Sequence, residues 1–231
     1  MIDMTERENI LSRIREALKT NAPLPGQHGV GTSSHAIASE SSTPRKWLPK
    51  VGESFDEQIA LFARNAAELK ADFRLLASAA EARTELQNLA LAGKWKQTAC
   101  HAGTLTDSIC PALTLPLLRT DQGYNPLELE KCDAGISECD VLVAQTGTVV
   151  VTNRSAGGRA LSVLPPHHVV LARREQLVPD LSAAFEWLRN KYETNYPSMI
   201  SLITGPSRTG DIERILVLGA HGPKQLTILC F

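Results

Sequence analysis

From Gly52 onward, capped amphipathic helices alternate with short apolar runs, and this alternation limits the possible folds more than any other feature. The capping box Ser54–Glu57 predicts the start of one helix, and Ser78–Glu81 predicts the start of another that ends at Gly93. The predicted strands between and after them are 73–77, 98–101, 115–118, 168–172, 199–203 and 225–231. Helices alternating with short strands predict a three-layer α/β domain with a mostly parallel central sheet.

The stretch after Gly135 is richer in β-branched residues. Two apolar runs, 136–144 and 149–152, flank the turn Gln145–Thr148, and this pattern predicts a β-hairpin. Pro179–Leu181 predicts the start of a further helix. We expect its apolar face to consist of Leu181, Ala184, Phe185, Leu188 and Tyr192.

The N-terminal part of the chain has a different character. A capping box at Thr5–Glu8 is followed by an apolar stripe at helical spacing, formed by Ile10, Leu11, Ile14 and Leu18. We therefore predict an amphipathic helix over residues 1–20, a flexible linker rich in Ser, Thr, Gly and Pro over 21–51, and an α/β domain over 52–231. The stripe needs a surface on which to dock, either the main domain, a partner subunit or a second copy.

Composition excludes several classes of function. The 24 basic and 25 acidic side chains give a net charge of −1, which provides no long-range attraction to nucleic acid or to an anionic membrane. No segment approaches the roughly 18 apolar residues of a membrane helix, and no signal peptide opens the chain. We expect a cytoplasmic protein without a membrane span.

Cysteine and histidine spacing indicates no cofactor in this chain. The five cysteines form neither a CxxC pair nor a cluster, which argues against a disulfide framework, a zinc site or an iron–sulfur site. We expect most of them in the core. The adjacent His167 and His168 would point to opposite faces of a strand and make a poor chelate, so no metal site is predicted.

The stretch Met199–Pro223 holds the densest set of candidate binding residues. A short apolar run predicts a buried strand, and Gly205–Asp211 follows it as a polar turn containing Arg208. Ligands of open α/β sheets bind outside the carboxyl ends of strands, and backbone N–H groups beside an arginine suit a phosphate or carboxylate. Alternatively, the glycines only supply turn conformations and Arg208 pairs with a structural carboxylate.

Three polar loops, Gln145–Thr148, Asn153–Arg159 and Gly205–Asp211, are expected to converge on one cleft. Their side chains are basic and rich in hydroxyls, which suits a small anion. Alternatively, the two arginines of the middle loop lie at a solvated edge, and His221 is only a turn residue. The candidate ligand-binding residues are Gln145, Thr146, Gly147, Thr148, Arg154, Arg159, Ser207, Arg208, Thr209 and His221.

No catalytic residue can be assigned from the sequence. Ser207 does not lie in a G-x-S-x-G elbow, and no P-loop or GxGxxG motif is present. Asp211 and Glu213 could act as an acid/base pair, although Asp211 could equally cap the turn.

Four motifs in order resemble the lactate utilization protein C family, which carries a LUD domain. They are Q-T-G-T at 145–148, L-P-P-H-H at 164–168, G-P-S-R-T-G-D-I-E at 205–213 and G-A-H-G-P at 219–223. The resemblance implies a fold of the type shared by ribose-5-phosphate isomerase, glucosamine-6-phosphate deaminase and CoA transferases. It also implies a non-redox subunit that works beside iron–sulfur partner subunits, which together oxidise L-lactate to pyruvate.

One position departs from that family's pattern. The family usually has a glutamate before Thr-Gly-Thr, whereas this chain has Gln145. An amide has no titratable proton and cannot act as a general base, although it can orient a ligand by hydrogen bonding. Two alternatives therefore stay open: an autonomous enzyme acting on a phosphorylated sugar, folate or acyl-CoA, and a module that binds a metabolite without converting it.

Overall fold

The computed structural model describes residues 49–209, 217–219 and 221–231, together with residues 11–13, 15, 16 and 19. The chain forms two compact units, Met1–Arg45 and Lys46–Phe231. In the first unit, residues 11–13, 15 and 16 are helical and fall within the predicted N-terminal helix. The predictions for residues 21–48 and for Asp211 and Glu213 lie outside the described residues.

The second unit contains helices and strands in close alternation. Its α-helices are α1 (Phe55–Glu68), α2 (Ala79–Ala92), α3 (Thr104–Ile109), α4 (Pro126–Leu129) and α5 (Leu181–Tyr192). Its strands are β1 (Asp72–Leu75), β2 (Thr98–Cys100), β3 (Leu117–Arg119), β4 (Ala134–Glu138), β5 (Val141–Val143), β6 (Thr148–Thr152), β7 (His167–Ala172), β8 (Leu177–Val178), β9 (Ile200–Ile203), β10 (Arg208–Thr209), β11 (Val217–Leu218) and β12 (Gln225–Cys230).

Local capping fixes where the main helices begin. The Ser54 hydroxyl accepts the Glu57 amide at 3.2 Å, and the Glu57 carboxylate accepts the Ser54 amide at 3.1 Å. Ser78 accepts the amide of Glu81 at the start of α2. These contacts confirm the two predicted helix starts, because each serine satisfies an amide that no helical carbonyl can reach.

The domain is built on a six-stranded sheet in the order β1-β12-β7-β4-β2-β3, and every neighbouring pair in it is parallel. A four-stranded sheet in the order β8-β5-β6-β9 and a short β10-β11 ribbon accompany it. All six residues of β7 are buried, as is typical of a parallel strand covered on both faces. The mixed α/β architecture with a mostly parallel central sheet is confirmed.

Alternate residues of the central strands face two separate cores. On one face Val169 and Leu171 pack with Leu86 of α2 and Ile109 of α3. On the other face the next residues along β7 and β12 pack against α1 and against the four-stranded sheet. Helix α5 covers the far side of that smaller sheet. On this face the smaller sheet therefore covers an area of the central sheet that helices cover in a three-layer domain.

The sequence predicts that the whole apolar run 136–144 forms one arm of a hairpin, and this is wrong because only its second part does so. The run breaks at Cys139 and Asp140, so that β4 joins the parallel sheet and β5 joins the smaller one. The cause is Asp140, whose buried carboxylate is held by groups from two other segments of the chain. The hairpin itself is confirmed in β5 and β6, where Val143 pairs with Thr148.

Two predicted burial patterns are also wrong. Strand β9 was expected to be buried, but it is the edge strand of the smaller sheet and its Leu202 is 42% exposed. Helix α5 contacts that sheet through Ala184, Leu188 and Tyr192. Phe185 falls outside this stripe and is 53% exposed, because one residue on a helix turns the side chain by about 100°.

All five cysteines are free and buried, which confirms the expectation that they serve as core residues. Burial raises the pKa of the Cys230 thiol to about 11, which keeps it protonated and unreactive at neutral pH. Within the described part of the chain, no helix combines the length and apolarity that crossing a membrane requires.

The Asp140 carboxylate should be one of the most stabilising polar groups in the domain. It accepts hydrogen bonds from Lys191 Nζ at 2.6 Å, Tyr192 OH at 2.6 Å and Ser155 Oγ at 2.8 Å. Asp140→Ala should lower the free energy of unfolding in urea by about 3 kcal/mol, because it leaves these donors without their acceptor.

A matched control is Glu186→Ala, which removes an exposed carboxylate 3.7 Å from Arg189. We expect this substitution to change the free energy of unfolding by no more than about 0.5 kcal/mol, since exposed ion pairs contribute little to stability. Similar losses in the two variants would contradict a special role for Asp140.

Candidate functional site

A cleft of about 230 Å³ opens where the smaller sheet meets the amino ends of two central strands. Leu226 and His168, the second residues of β12 and β7, contribute to its lining. The carboxyl end of β9 and the turn that follows it supply the opposite wall. The described lining residues are Arg159, Ser162, Val163, His168, Ser201, Leu202, Ile203, Thr204, Gly205, Pro206, Ser207, His221, Gly222, Pro223 and Leu226.

Backbone contacts hold the turn after β9 in place. Gly205 has φ +81°, and a Cβ at this position would lie 2.8 Å from the carbonyl oxygen of Leu69 at the end of α1. Ser207 donates its amide to the carbonyl of Pro223 at 2.9 Å and accepts the amide of Gly219, also at 2.9 Å. The two Gly/Pro motifs of the sequence are thus joined into a single wall of the cleft.

Three of the predicted binding residues line this cleft together: Arg159, Ser207 and His221. They come from three separate parts of the chain. Arg159 and His221 are exposed at the rim, and Ser207 is half-buried.

The structure places Arg208 elsewhere. Arg208 lies on β10, where its backbone pairs with Leu218, and its side chain is exposed. It is not among the described residues that line the cleft. Thr209 is the other residue of β10 and pairs with Val217, while its side chain lies outside the described part of the structure.

Arg154 also lies apart from the cleft. Its guanidinium donates to the backbone oxygen and to Oδ1 of Asn195 at 2.9 and 2.7 Å, and lies 5.1 Å from the ring centroid of Tyr192. It lines a separate cavity of about 330 Å³ beside Lys191 and Glu138. These contacts anchor the loop 153–159 to the segment after α5, so a structural role accounts for the position of Arg154.

The Gln145–Thr148 turn is docked on helix α1. Gln145 donates its side-chain amide to the carbonyl of Pro49 at 2.9 Å, and the amide of Asn65 donates to the carbonyls of Ala144 and Gln145. Gly147 has φ +63°, and a Cβ there would lie 2.9 Å from the backbone nitrogen of Ala66. The Gln145 side chain therefore holds this turn against its surroundings.

The same turn still reaches the cleft through a line of hydroxyls. Thr146 Oγ1 lies 2.7 Å from Thr148 Oγ1, which lies 2.9 Å from Thr204 Oγ1. Thr204 lines the cleft. The predicted threonines thus support a residue of the wall.

His168 is a lining residue that sequence reasoning missed. Its side chain is buried, Nε2 lies 2.8 Å from Ser137 Oγ, and Nδ1 has no hydrogen-bond partner among the described residues. Burial, reinforced by the charge of His167, lowers the pKa of His168 to about 3, so the ring is neutral at physiological pH. The sequence clue was the pair His167-His168, in which one ring must face the opposite side of the strand from the other.

Its neighbour His167 has a structural environment on the opposite face. His167 Nε2 lies 2.9 Å from Thr227 Oγ1, and its ring packs edge-to-face with Trp95 at 5.3 Å. Burial lowers its pKa to about 4. Only the second histidine of the pair contributes to the lining of the cleft.

The carboxyl end of the central sheet, where open α/β folds usually bind ligands, is occupied by the protein's own groups. The Glu138 carboxylate accepts the amides of Leu105 and Thr106 at 2.6 and 3.1 Å. Gly157 has φ +65° and approaches His101 so closely that a Cβ would clash with the ring. Gly157 therefore allows close packing between this loop and His101, the residue after β2.

The cleft combines hydrogen-bond donors with a guanidinium charge. Arg159, Ser207 and His221 can all donate, and the described lining residues include no Asp or Glu. A small molecule with a carboxylate or phosphate group matches this arrangement best.

The contacts of Gln145 predict the effect of restoring an acid before Thr-Gly-Thr. Gln145→Glu should lower the free energy of unfolding by about 1–3 kcal/mol, because a carboxylate oxygen would face the Pro49 carbonyl. Gln145→Met removes the hydrogen bond without adding a charge and should cost less. Urea denaturation of both variants measures this difference, and a stabilised Gln145→Glu protein would contradict the structural role.

The two depressed histidine pKa values predict acid sensitivity. Both rings are neutral in the folded state but take up protons near pH 6.5 when unfolded, so stability is full above pH 6.5 and is lost as the pH falls toward the folded values. Each histidine should cost about 2 kcal/mol by pH 5. The free energy of unfolding, measured from pH 7.5 to 5, should fall with this dependence on pH, and the fall should be smaller in His167→Gln. The same pH dependence in His167→Gln and the unmodified protein would contradict the burial effect.

Comparison with known proteins agrees with the fold. A crystal structure of a DUF162 family protein from Deinococcus radiodurans superposes with a TM-score of 0.59, covering 78% of this chain and 99% of that one. At 22% identity, this similarity establishes the shared fold.

Sequence comparison identifies the family. Lactate utilization protein C of Oceanobacillus iheyensis is 35% identical over 107 residues, which cover 46% of each chain. The corresponding protein of Anoxybacillus flavithermus is 39% identical over 100 residues, covering 43% of this chain and 44% of that one. The chain thus spans just under half the length of the curated relatives it matches. The LUD domain family model matches residues 59–230, and the chain belongs to the LUD domain family.

Proposed function

We propose that this protein is a non-redox subunit of a bacterial L-lactate utilization system, in which iron–sulfur partner subunits oxidise L-lactate to pyruvate. The membership of the LUD domain family and the relatives named lactate utilization protein C support this assignment. We further propose that the cleft beside β9 binds a small anionic ligand of that system.

The observation that carries the proposal is the convergence of Arg159, Ser207 and His221 on one cleft. A guanidinium at the rim of a partly enclosed cleft attracts a carboxylate, and the hydroxyl supplies a second donor. Three of the four motifs that resemble lactate utilization protein C, 164–168, 205–213 and 219–223, contribute lining residues to this cleft, whereas Arg159 lies outside them.

The size of the cleft favours a small ligand over the alternatives. A volume of about 230 Å³ is below the roughly 300–1,000 Å³ that drug-sized ligands occupy. A folate or an acyl-CoA would project far beyond it. A short carboxylic acid matches the volume, and this disfavours an autonomous enzyme acting on those larger substrates.

We propose that the redox centres lie in partner subunits. The five cysteines are buried in the cores of the domain, and the described residues contain no group of three or more His, Cys, Asp or Glu side chains arranged to hold a metal ion. Iron–sulfur clusters require such thiolate groups. The predicted amphipathic helix over residues 1–20 supplies a segment that could dock on a partner or on a second copy.

Affinity purification tests the proposal directly. Tagged protein is isolated from lactate-grown source cells, and the eluate is assayed for iron and for L-lactate oxidation. Co-purified iron–sulfur subunits, with an activity that is lost when this subunit is removed, would support the proposal. An iron-free protein that purifies alone, from cells whose lactate oxidation does not need it, would overturn it.

The positions of two arginines predict different effects in that assay. Arg159→Ala should lower L-lactate oxidation by the reconstituted system, and the affinity for pyruvate measured by thermal shift, by tenfold or more, because it removes the guanidinium of the cleft. Arg208→Ala is the matched control and should leave both within twofold, since Arg208 is exposed outside the cleft. The opposite ranking would contradict the location of the site.

A further inference from the structure

We propose that the outer edge of β9, together with the apolar surface between β9 and α5, is an interface with a second copy of this chain. In this dimer the two β9 strands pair antiparallel across a twofold axis, and the two smaller sheets join into one. We call the contact between the two β9 strands the seam. Its formation does not depend on the ligand of the cleft or on the lactate system.

Helix α5 leaves the edge of the smaller sheet uncovered. Paired residues of antiparallel strands share a face, so Leu202 lies on the same face as its partner Val150, which packs against α5. Val150 is 1% exposed, whereas Leu202 is 42% exposed. Phe185 and Tyr196, which are also exposed, line a groove of about 430 Å³ between α5 and the start of β9. Exposed apolar surfaces of this kind mark contacts with other proteins.

The outer edge of β9 has the properties of a strand that can accept a partner. In the part of the chain that the structure describes, only β6 pairs with β9. Met199 accepts the amide of Asn153, so Met199 and every second residue after it direct their backbone groups toward β6. Ile200 and Leu202 therefore direct theirs outward. Lysines, prolines and bulges commonly protect exposed edges, and Ile200–Ile203 contains none of these.

The surface is complementary to itself, which favours a second copy over an unrelated partner. It carries a large exposed side chain, Phe185, and an open groove beside it. Among the described residues that line the groove, the charged ones are an acid and a base, Glu186 and Arg189, and both are exposed. A twofold axis pairs each feature with its opposite, so Glu186 of one copy can meet Arg189 of the other.

The outward residues also determine the register. The pairing that keeps both of them within β9 places the axis at Ser201, so that Ile200 of each copy lies opposite Leu202 of the other. An axis perpendicular to the sheet keeps both α5 helices on the same face, where Leu202 and Phe185 of the two copies cover one another. Ser201 and Ile203 point to the opposite face, on which the cleft lies.

Sedimentation equilibrium of the full chain tests the interface. We expect a species with twice the mass of one chain at micromolar concentration. Leu202→Lys should raise the dissociation constant of the dimer at least tenfold, because it adds a charge to each strand of the seam. The matched control is Leu91→Lys, which changes an exposed leucine of α2 on the opposite face of the central sheet and should leave the constant within twofold.

Two results of that experiment would overturn the inference. One is a full chain that stays monomeric at high micromolar concentration, and the other is an equal effect of the two substitutions. Both leucines are exposed, so both variants should keep the circular dichroism spectrum of the unmodified protein. Association that survives Leu202→Lys but is lost in Leu11→Lys would assign the contact to the predicted N-terminal stripe, and would also overturn it.

A disulfide tests the register without weakening the interface. Opposed residues of a non-hydrogen-bonded antiparallel pair have Cα atoms about 4.5 Å apart, which is within the range that a disulfide bridges. Ser201→Cys should therefore give a covalent dimer on mild oxidation, since the five native cysteines are buried. Ser108→Cys, at an exposed position in α3, is the control and should stay monomeric under denaturing conditions. Equal linkage at both positions would contradict the proposed seam.

Discussion

The arrangement of the domain depends on the buried carboxylate of Asp140. Burial alone would raise its pKa, but hydrogen bonds from Lys191, Tyr192 and Ser155 outweigh this effect, and the net pKa is lowered. The group is therefore charged in the folded protein, and its three donors come from helix α5 and from the loop after β6. Because a buried charge must keep its partners, the chain turns at this point, and β4 and β5 enter different sheets.

This turn determines where a ligand can enter. The smaller sheet lies over one face of the central sheet, and the loop 153–159 crosses the carboxyl ends of the central strands. Glu138 and His101 then fill the usual binding position with internal contacts. The candidate cleft opens at the amino ends of β7 and β12, where the edge strand β9 forms one wall. The location of the cleft follows from the way the two sheets pack.

Local features of the fold could be predicted from sequence, and long-range ones could not. Ser54 and Ser78 each accept the amide of a residue three positions along, so the helix starts can be predicted from neighbouring residues. The interruption of the apolar run at Asp140 involves a contact with Lys191, 51 residues away. The sequence around Asp140, which is mostly apolar, gives no sign of that contact. The exposure of β9 depends on its place at the edge of a sheet, which is likewise not a local property.

The candidate site shows the same division. Arg159, Ser207 and His221 were identified because glycine-rich polar turns stand out in an apolar sequence. The sequence favours Arg208 as a central binding residue because it lies beside Ser207, yet Ser207 lines the cleft whereas Arg208 begins β10 with its side chain exposed outside it. His168 was passed over because a histidine within a buried strand resembles a core residue until its neighbours are known.

The hydroxyls of Thr146, Thr148 and Thr204 form a chain of hydrogen bonds whose donor and acceptor roles can be exchanged. Each hydroxyl has one hydrogen to give, so the direction of all three bonds is set together. When Thr204 donates to an occupant of the cleft, Thr148 donates to Thr204 and Thr146 to Thr148. When Thr204 accepts, its own hydrogen is free to point to Thr148, and the order can reverse. The wall can thus match a donor or an acceptor without moving a heavy atom.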